Sequence, residues 1–139
     1  MREIKFRGKQ KTDGVWIYGF YYTTQREYFI LGNENPNGTV LLSYEVIPKT
    51  VGQYTGLEDK NGKRIYEGDI VRISCEGFEY LDKGFECAKV KWKEAYSAFV
   101  LFNNAWGEDD FIYEWSMEDL EVIGNIHDNP ELLEADNGK

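Results

Sequence analysis

Histidine, cysteine and proline are scarce in this chain, with one, two and three residues among 139. The single His127, even with Cys75 and Cys87, falls short of the four ligands of a structural zinc site. None of the three stands at Cys-x-x-Cys or His-x-x-x-His spacing. No serine elbow or reactive-cysteine signature accompanies His127, so a hydrolytic triad is not expected. Beside Asp128 it reads as a capping or surface histidine. Long apolar runs are missing too. Nothing reaches the roughly 20 residues of a membrane helix, and the charged start "MREIKFRGKQ" leads into no apolar signal core. A soluble, cytoplasmic chain with two reduced, structural thiols is the expectation. Cations run out toward the end. Residues 1–30 hold six basic and three acidic side chains, residues 31–100 nine and eleven, and residues 101–139 one and eleven, within a net charge of -9. That balance disfavours a duplex-binding protein, whose affinity rests on Lys and Arg displacing counterions, and leaves the basic start as a local exception.

What is abundant is aromatic and turn-forming. Ten Tyr, eight Phe and four Trp accompany fourteen glycines, a composition that favours strands and partner surfaces over disorder. Apolar stretches alternate or stop after a few residues at turn chemistry, the strand pattern. "IKFRG" and "VWIYGFYY" flank Asp13-Gly14; "REYFILG" and "TVLLSYEVI" flank Asn37-Gly38. "TVGQYTG" and "KRIYEGDIVRISC" flank "LEDKNG", where Asn61-Gly62 supplies left-handed backbone and Asp59 starts the turn. Gly68-Asp69 makes a further bend into "IVRISC". In "CAKVKWK", Ala88, Val90 and Trp92 alternate with Lys89, Lys91 and Lys93. This predicts one buried and one cationic face, with Cys87 on the lysine side and Cys75 pointing inward, so no disulfide between them. "SAFVLFN", "DFIYEW" and "LEVIGNI" complete the strands, with "EGFEYLDKGFE" as a connection. Helical turns are predicted at "SMEDL", with Ser116 and Asp119 as a weak cap, and at "DNPELLE", with Pro130 at the first helical position. The reading is one mainly β domain over residues 1–139, of barrel or sandwich type, ending in a flexible tail at 134–139.

Chemistry-bearing patterns are few. "GLEDKNGK" has five residues between its glycines and Arg64 after the lysine, so it is not a phosphate loop; its glycine is also misplaced for a calcium loop. Glu108, Asp109, Asp110 and Glu114 stand among Trp106, Phe111, Tyr113 and Trp115. Paired carboxylates can hold magnesium or act as acid and base, yet consecutive acids on a loop usually splay into solvent, and Glu67 and Asp69 are read the same way. Ion binding at Glu108 to Asp110 stays open. No catalytic, cofactor-binding or metal-ligating residue is assigned, and no cofactor is expected. Among the tryptophans Trp92 reads as core. Trp106, in a loop with Asn103, Asn104 and Gly107, reads as an interface anchor, with Trp115 and Tyr113 beside it.

The segments "REIKFRGK", "WIYGF", "TVGQYTGLEDKNGKRIYEGDIV" and "EVIGNIHDNPELL", in this order and spacing, resemble the phage- and prophage-encoded YopX family over nearly the whole chain. The resemblance implies a mostly β protein in a bacterial cytoplasm. It also implies a small SH3-like barrel from about residue 57 to 133, with N-terminal strands of residues 1–56 packed on it. It supplies no reaction and no site residues. Two functions are therefore expected in order. The first is a non-enzymatic phage or prophage accessory protein that binds a protein partner or assembles with itself, aromatics and strand edges being suited to pairing. The alternative is a nucleic-acid binder acting in phage DNA metabolism or regulation through Lys89, Lys91 and Lys93 or through the basic N-terminus.

Overall fold

The computed structural model describes residues 3–32, 41–74, 85–103, 106 and 109–133. Among these the protein is mainly β, with eleven strands paired antiparallel, and the chain divides into two compact units, Met1–Gly56 and Leu57–Lys139. No helix among the described residues is long and apolar enough to cross a membrane. The turn at Asn37-Gly38, Cys75, the "EGFEYLDKGFE" connection up to residue 84, Glu108 and the tail at 134–139 lie outside the described residues.

In the first unit, β1 (Phe6–Lys9), β2 (Trp16–Thr23), β3 (Tyr28–Gly32) and β4 (Leu42–Glu45) form a meander, and the start of β5 (Gly52–Glu58) pairs with the free side of β1. The first reversal follows its turn residues. Asp13 Oδ1 accepts the Val15 N–H at 3.0 Å, and Gly14 takes the left-handed conformation at φ +75°. Beyond β4 the backbone returns to the end of β1, with Val46 bridging to Gln10 and the Ile47 N–H donating to Lys9 O at 2.9 Å. This return encloses Ile17, Ile30 and Val46, each at most 1% exposed, against Phe6, Tyr21, Tyr44 and Val51. Residues of that type contribute about 1.5–3 kcal/mol each when fully buried.

The second unit opens in the last residues of β5 and continues through β6 (Arg64–Tyr66), β7 (Asp69–Ile73), β8 (Glu86–Lys93), β9 (Ala98–Phe102), β10 (Asp110–Phe111) and β11 (Leu120–Asn125). A five-stranded sheet runs in the order β10-β9-β8-β7-β11. Its apolar face gathers Ile65, Val71, Ile73, Ala88, Val90, Leu101, Ile112 and Leu120 into one cluster. Alternation along "IVRI" places Val71 and Ile73 there and turns Arg72 away.

The segment richest in turn residues builds this unit. Asp59, 6% exposed, accepts the Asn61 and Lys63 N–H groups on Oδ1 at 2.8 and 2.9 Å, and the Val122 N–H on Oδ2 at 2.9 Å. Gly62 completes the reversal at φ +79°. The Lys60 N–H donates to Leu120 O at 3.0 Å, so the turn borders the edge of β11 that β7 leaves open. Asp69 is buried rather than solvated, at 2% exposure. Its carboxylate accepts the Tyr66 N–H at 2.7 Å, which closes the bend at Gly68 (φ +93°). Desolvating a carboxylate is costly unless its oxygens accept hydrogen bonds, and a tight bend offers backbone donors at that range. The last turn is organised by Asn125, whose Oδ1 accepts the His127 and Asp128 N–H groups, both at 2.9 Å. His127 thus sits in a turn.

Three further local expectations need correction. Trp92 is 39% exposed instead of buried: it lies outside the apolar cluster, and its indole makes an edge-type contact with Phe99 at 5.1 Å. Cys87 is buried, at 3% exposure, although it lies on the lysine side. It stands opposite Arg72, whose guanidinium lies 4.8 Å from the ring centre of Phe85, so that side of β8 is covered at its start. "DFIYEW" is strand only at Asp110–Phe111 and then a 3-10 turn at Ile112–Glu114, which drops Ile112 into the core.

Candidate functional site

Two surfaces of the second unit carry the residues singled out in the sequence. The first is the outer side of β8 and β9. Alternation places Lys89, Lys91 and Lys93 together on it, opposite Phe102, Val100 and Ala98. These lysines are not a free cationic strip. Asp109 holds Lys91 Nζ on Oδ1 and Lys93 Nζ on Oδ2, both at 3.1 Å, while Lys89 and Lys91 lie 5.6 and 4.3 Å from the ring centre of Phe102. Burial alone would push the Asp109 carboxyl up; hydrogen bonds and attraction from Lys93 and Lys91 outweigh it and hold the group below its usual range.

Asp109 therefore acts as the counterion of the lysine strip. Its folded value lies below the unfolded one, so its stabilisation is complete above about pH 4 and is lost as pH falls through the folded value. Asp109→Asn is expected to cost about 1 kcal/mol at neutral pH. Urea unfolding of the two proteins should show this difference closing once the pH drops below about 4.

The second surface is aromatic. Trp106 and Trp115 stack at 6.4 Å with an interplanar angle of 15°, and both pack, partly buried, against the apolar cluster. Trp106 is also tied by hydrogen bonds. Its indole N–H donates to the Glu86 carboxylate, and its backbone N–H donates to Asn103 Oδ1 at 3.0 Å. Asn103, 4% exposed, donates in turn to Cys87 O at 3.0 Å. The two indoles are thus held by packing and, for Trp106, by hydrogen bonds. Tyr113 is different, at 69% exposure. Its ring stacks on Phe111 at 5.3 Å, and Phe111 meets the edge of Tyr96 at 5.2 Å. Tyr96 is itself 57% exposed, on the hairpin between β8 and β9 where Ser97 takes φ +49°. Tyr96, Phe111 and Tyr113 form a contiguous ring surface.

Tyr96 is a site residue that alternation does not single out, although a tyrosine inside the polar turn "KEAYS" has no strand face to hide on. The outer side of β2, where Tyr18, Phe20 and Tyr22 recur with a period of two, is a second exposed ring face. No group of three or more His, Cys, Asp or Glu side chains able to hold a metal occurs among the described residues.

The family model described as YopX protein matches residues 5–134. The chain belongs to the YopX family. The YopX match spans both units and all eleven strands. A solved structure, that of protein EF1440 from Enterococcus faecalis, is similar over 96% of this chain and 99% of its own, at 22% identity and a TM-score of 0.60, and shows the same fold. No curated protein matches the chain. In this YopX protein the segments "GLEDKNGKRIYEGD" and "GNIHDN" are occupied with turns built by Asp59, Gly62, Gly68, Asp69 and Asn125.

Proposed function

We propose that this YopX protein is a non-enzymatic accessory factor of a phage or prophage cycle, acting in the bacterial cytoplasm by holding a protein partner. The observation that carries this reading is the ring surface of Tyr96, Phe111 and Tyr113, in which two tyrosines stand more than half exposed. Tyrosine joins a large apolar ring to a hydroxyl at low conformational cost, which suits an anchor at a wet interface. The strand order β10-β9-β8-β7-β11, a meander whose last strand returns to the first after a 3-10 turn at Met117–Asp119, supports an SH3-like reading of the second unit. Such units commonly serve as adaptors, and their functions lie in grafted surfaces rather than in the fold. Trp106 and Trp115 stack on each other and pack against the apolar cluster of the same unit.

The reading is tested by tagging the intact protein, capturing partners from a phage-infected host, and titrating the captured partner by calorimetry. The double variant Tyr96→Ala, Tyr113→Ala is expected to lose at least about 2 kcal/mol of binding with an unchanged far-UV spectrum. Full affinity in the double variant would remove this surface from the account. Sedimentation equilibrium distinguishes self-assembly: a wild-type oligomer that the double variant converts to monomer would make a second copy the partner.

A further inference from the structure

The ring surface of Tyr96, Phe111 and Tyr113 discriminates among partners by charge. Its two tyrosines stand in short 3-10 turns, Glu94–Tyr96 and Ile112–Glu114, so each turn that supplies a ring also supplies a carboxylate. Glu94 and Glu114 are exposed, and among the described residues neither side chain makes an ion pair or a hydrogen bond. Asp109, by contrast, is occupied with Lys91 and Lys93. Residues 94–120 hold seven acidic side chains and no lysine or arginine, and residues 57–139 hold nine basic and twenty acidic side chains, a net of -11.

The rings themselves are open to a cation. Elsewhere this protein sets its own cations over its rings: Lys91 Nζ lies 4.3 Å from the ring centre of Phe102, and the Arg72 guanidinium 4.8 Å from that of Phe85. Among the described residues no such cation lies over Tyr96, Phe111 or Tyr113, whose ring contacts are with one another. A free ring face attracts a cation through the negative face of its π system. Unpaired carboxylates in the same turns attract the same sign of charge and repel an acidic segment or a phosphate backbone. Arginine suits such a surface better than lysine, because its guanidinium is planar, stacks on rings and is more weakly hydrated. We propose that the partner presents a cationic, arginine-bearing protein segment to this surface, with guanidinium groups over Tyr96 and Tyr113 and charge met by Glu94 and Glu114. The proposal rests on this ring surface being the one that holds the partner.

Fluorescence anisotropy of the intact protein with a labelled peptide of about 10 residues alternating Gly and Arg tests this, with Gly-Ser and Gly-Glu peptides of equal length alongside. Saturable binding of the arginine peptide is expected at about 50 mM salt, weakening roughly fivefold at about 200 mM. The serine and glutamate peptides should bind at least about tenfold more weakly. Tyr96→Ala with Tyr113→Ala should weaken the arginine peptide about tenfold, and Glu94→Gln with Glu114→Gln about fivefold, each with an unchanged far-UV spectrum. Glu27→Gln with Glu131→Gln removes the same charge at other exposed positions and should leave binding within about twofold. Three results would each overturn the proposal: no binding of the arginine peptide at low salt, binding that survives loss of both tyrosines, or an equal loss from the Glu27 and Glu131 pair. Titrating the captured partner with the same variants separates the two readings. A partner lost with the tyrosines but kept at full affinity by Glu94→Gln with Glu114→Gln would leave the ring surface in place and remove its charge preference. A partner kept by the tyrosine variant would remove both.

Discussion

Asp59→Ala is expected to lower the unfolding stability of the second unit by about 3 kcal/mol, among the larger effects of any single substitution in the chain. The carboxylate accepts three backbone N–H groups, two from its own turn and one from Val122, and alanine removes every acceptor at once. Asp59→Asn should cost less but not nothing. Its amide can keep one oxygen for Asn61 and Lys63 but then turns an NH2 group toward the Val122 N–H, donor against donor. Urea or thermal unfolding of the three proteins provides the ranking, with wild type above Asn and Asn above Ala.

The same residue sets a pH dependence. Burial would raise the Asp59 carboxyl, but hydrogen bonds from Val122, Lys63 and Asn61 and the charge of Lys63 together hold it below its ordinary value. A group depressed in the folded state stabilises fully above its unfolded pKa of about 3.9 and loses that contribution as pH falls through the folded value. Wild-type stability should therefore decline below about pH 4, and Asp59→Asn should show a flatter acid limb.

The second large effect is expected at the glycine pair of the first unit. Gly19 and Gly32 face each other across β2 and β3. A Cβ added at Gly19 would stand 2.1 Å from Leu31 O, and one at Gly32 would stand 2.1 Å from Tyr18 O. Both obstacles are backbone atoms of the neighbouring strand, which cannot swing aside as a side chain could. Gly19→Ala or Gly32→Ala should cost about 3 kcal/mol or more by forcing the strands apart. Gly14→Ala is the contrast, because an added Cβ there meets nothing within 4 Å and only the φ of +75° opposes it. About 1 kcal/mol is expected in that case. Chemical unfolding followed by the tryptophan signal of Trp16 would order the three.

What could be read from residues alone was the local chemistry. Asp13 with Gly14 and Asp59 with Asn61-Gly62 are turns because a short acidic side chain reaches donors two to four residues on and glycine admits positive φ, both short-range facts. The partner of Asp59 in β11 was not legible. Val122 lies 63 residues away, and no pattern in either segment names the other. Alternation likewise sorted "CAKVKWK" into two faces without saying what covers each. Trp92 lies outside the apolar cluster, and Cys87 lies under Arg72 and Phe85, because coverage depends on neighbouring strands rather than on the strand's own period. The lysine strip was legible as a strip, but its counterion was not. Asp109 was one of several acids in a loop until the fold of β9 and β10 brought it to Lys91 and Lys93. Aromatic clustering groups Tyr113 with Trp106 and Trp115, and only the packing separates the exposed ring from the two that pack against the apolar cluster.

On the proposed function, the glycine- and aspartate-rich middle of this YopX protein builds its fold, while binding belongs to the exposed rings of Tyr96, Phe111 and Tyr113. Amide hydrogen exchange measured by NMR on wild type and Asp59→Asn, alongside partner titration of each folded protein, addresses this most directly. The amides of Asn61, Lys63 and Val122 should be protected in the wild type and lose protection in the variant, with partner affinity unchanged. Protection and stability left intact while the partner is lost would instead place Asp59 in the binding site and contradict the account.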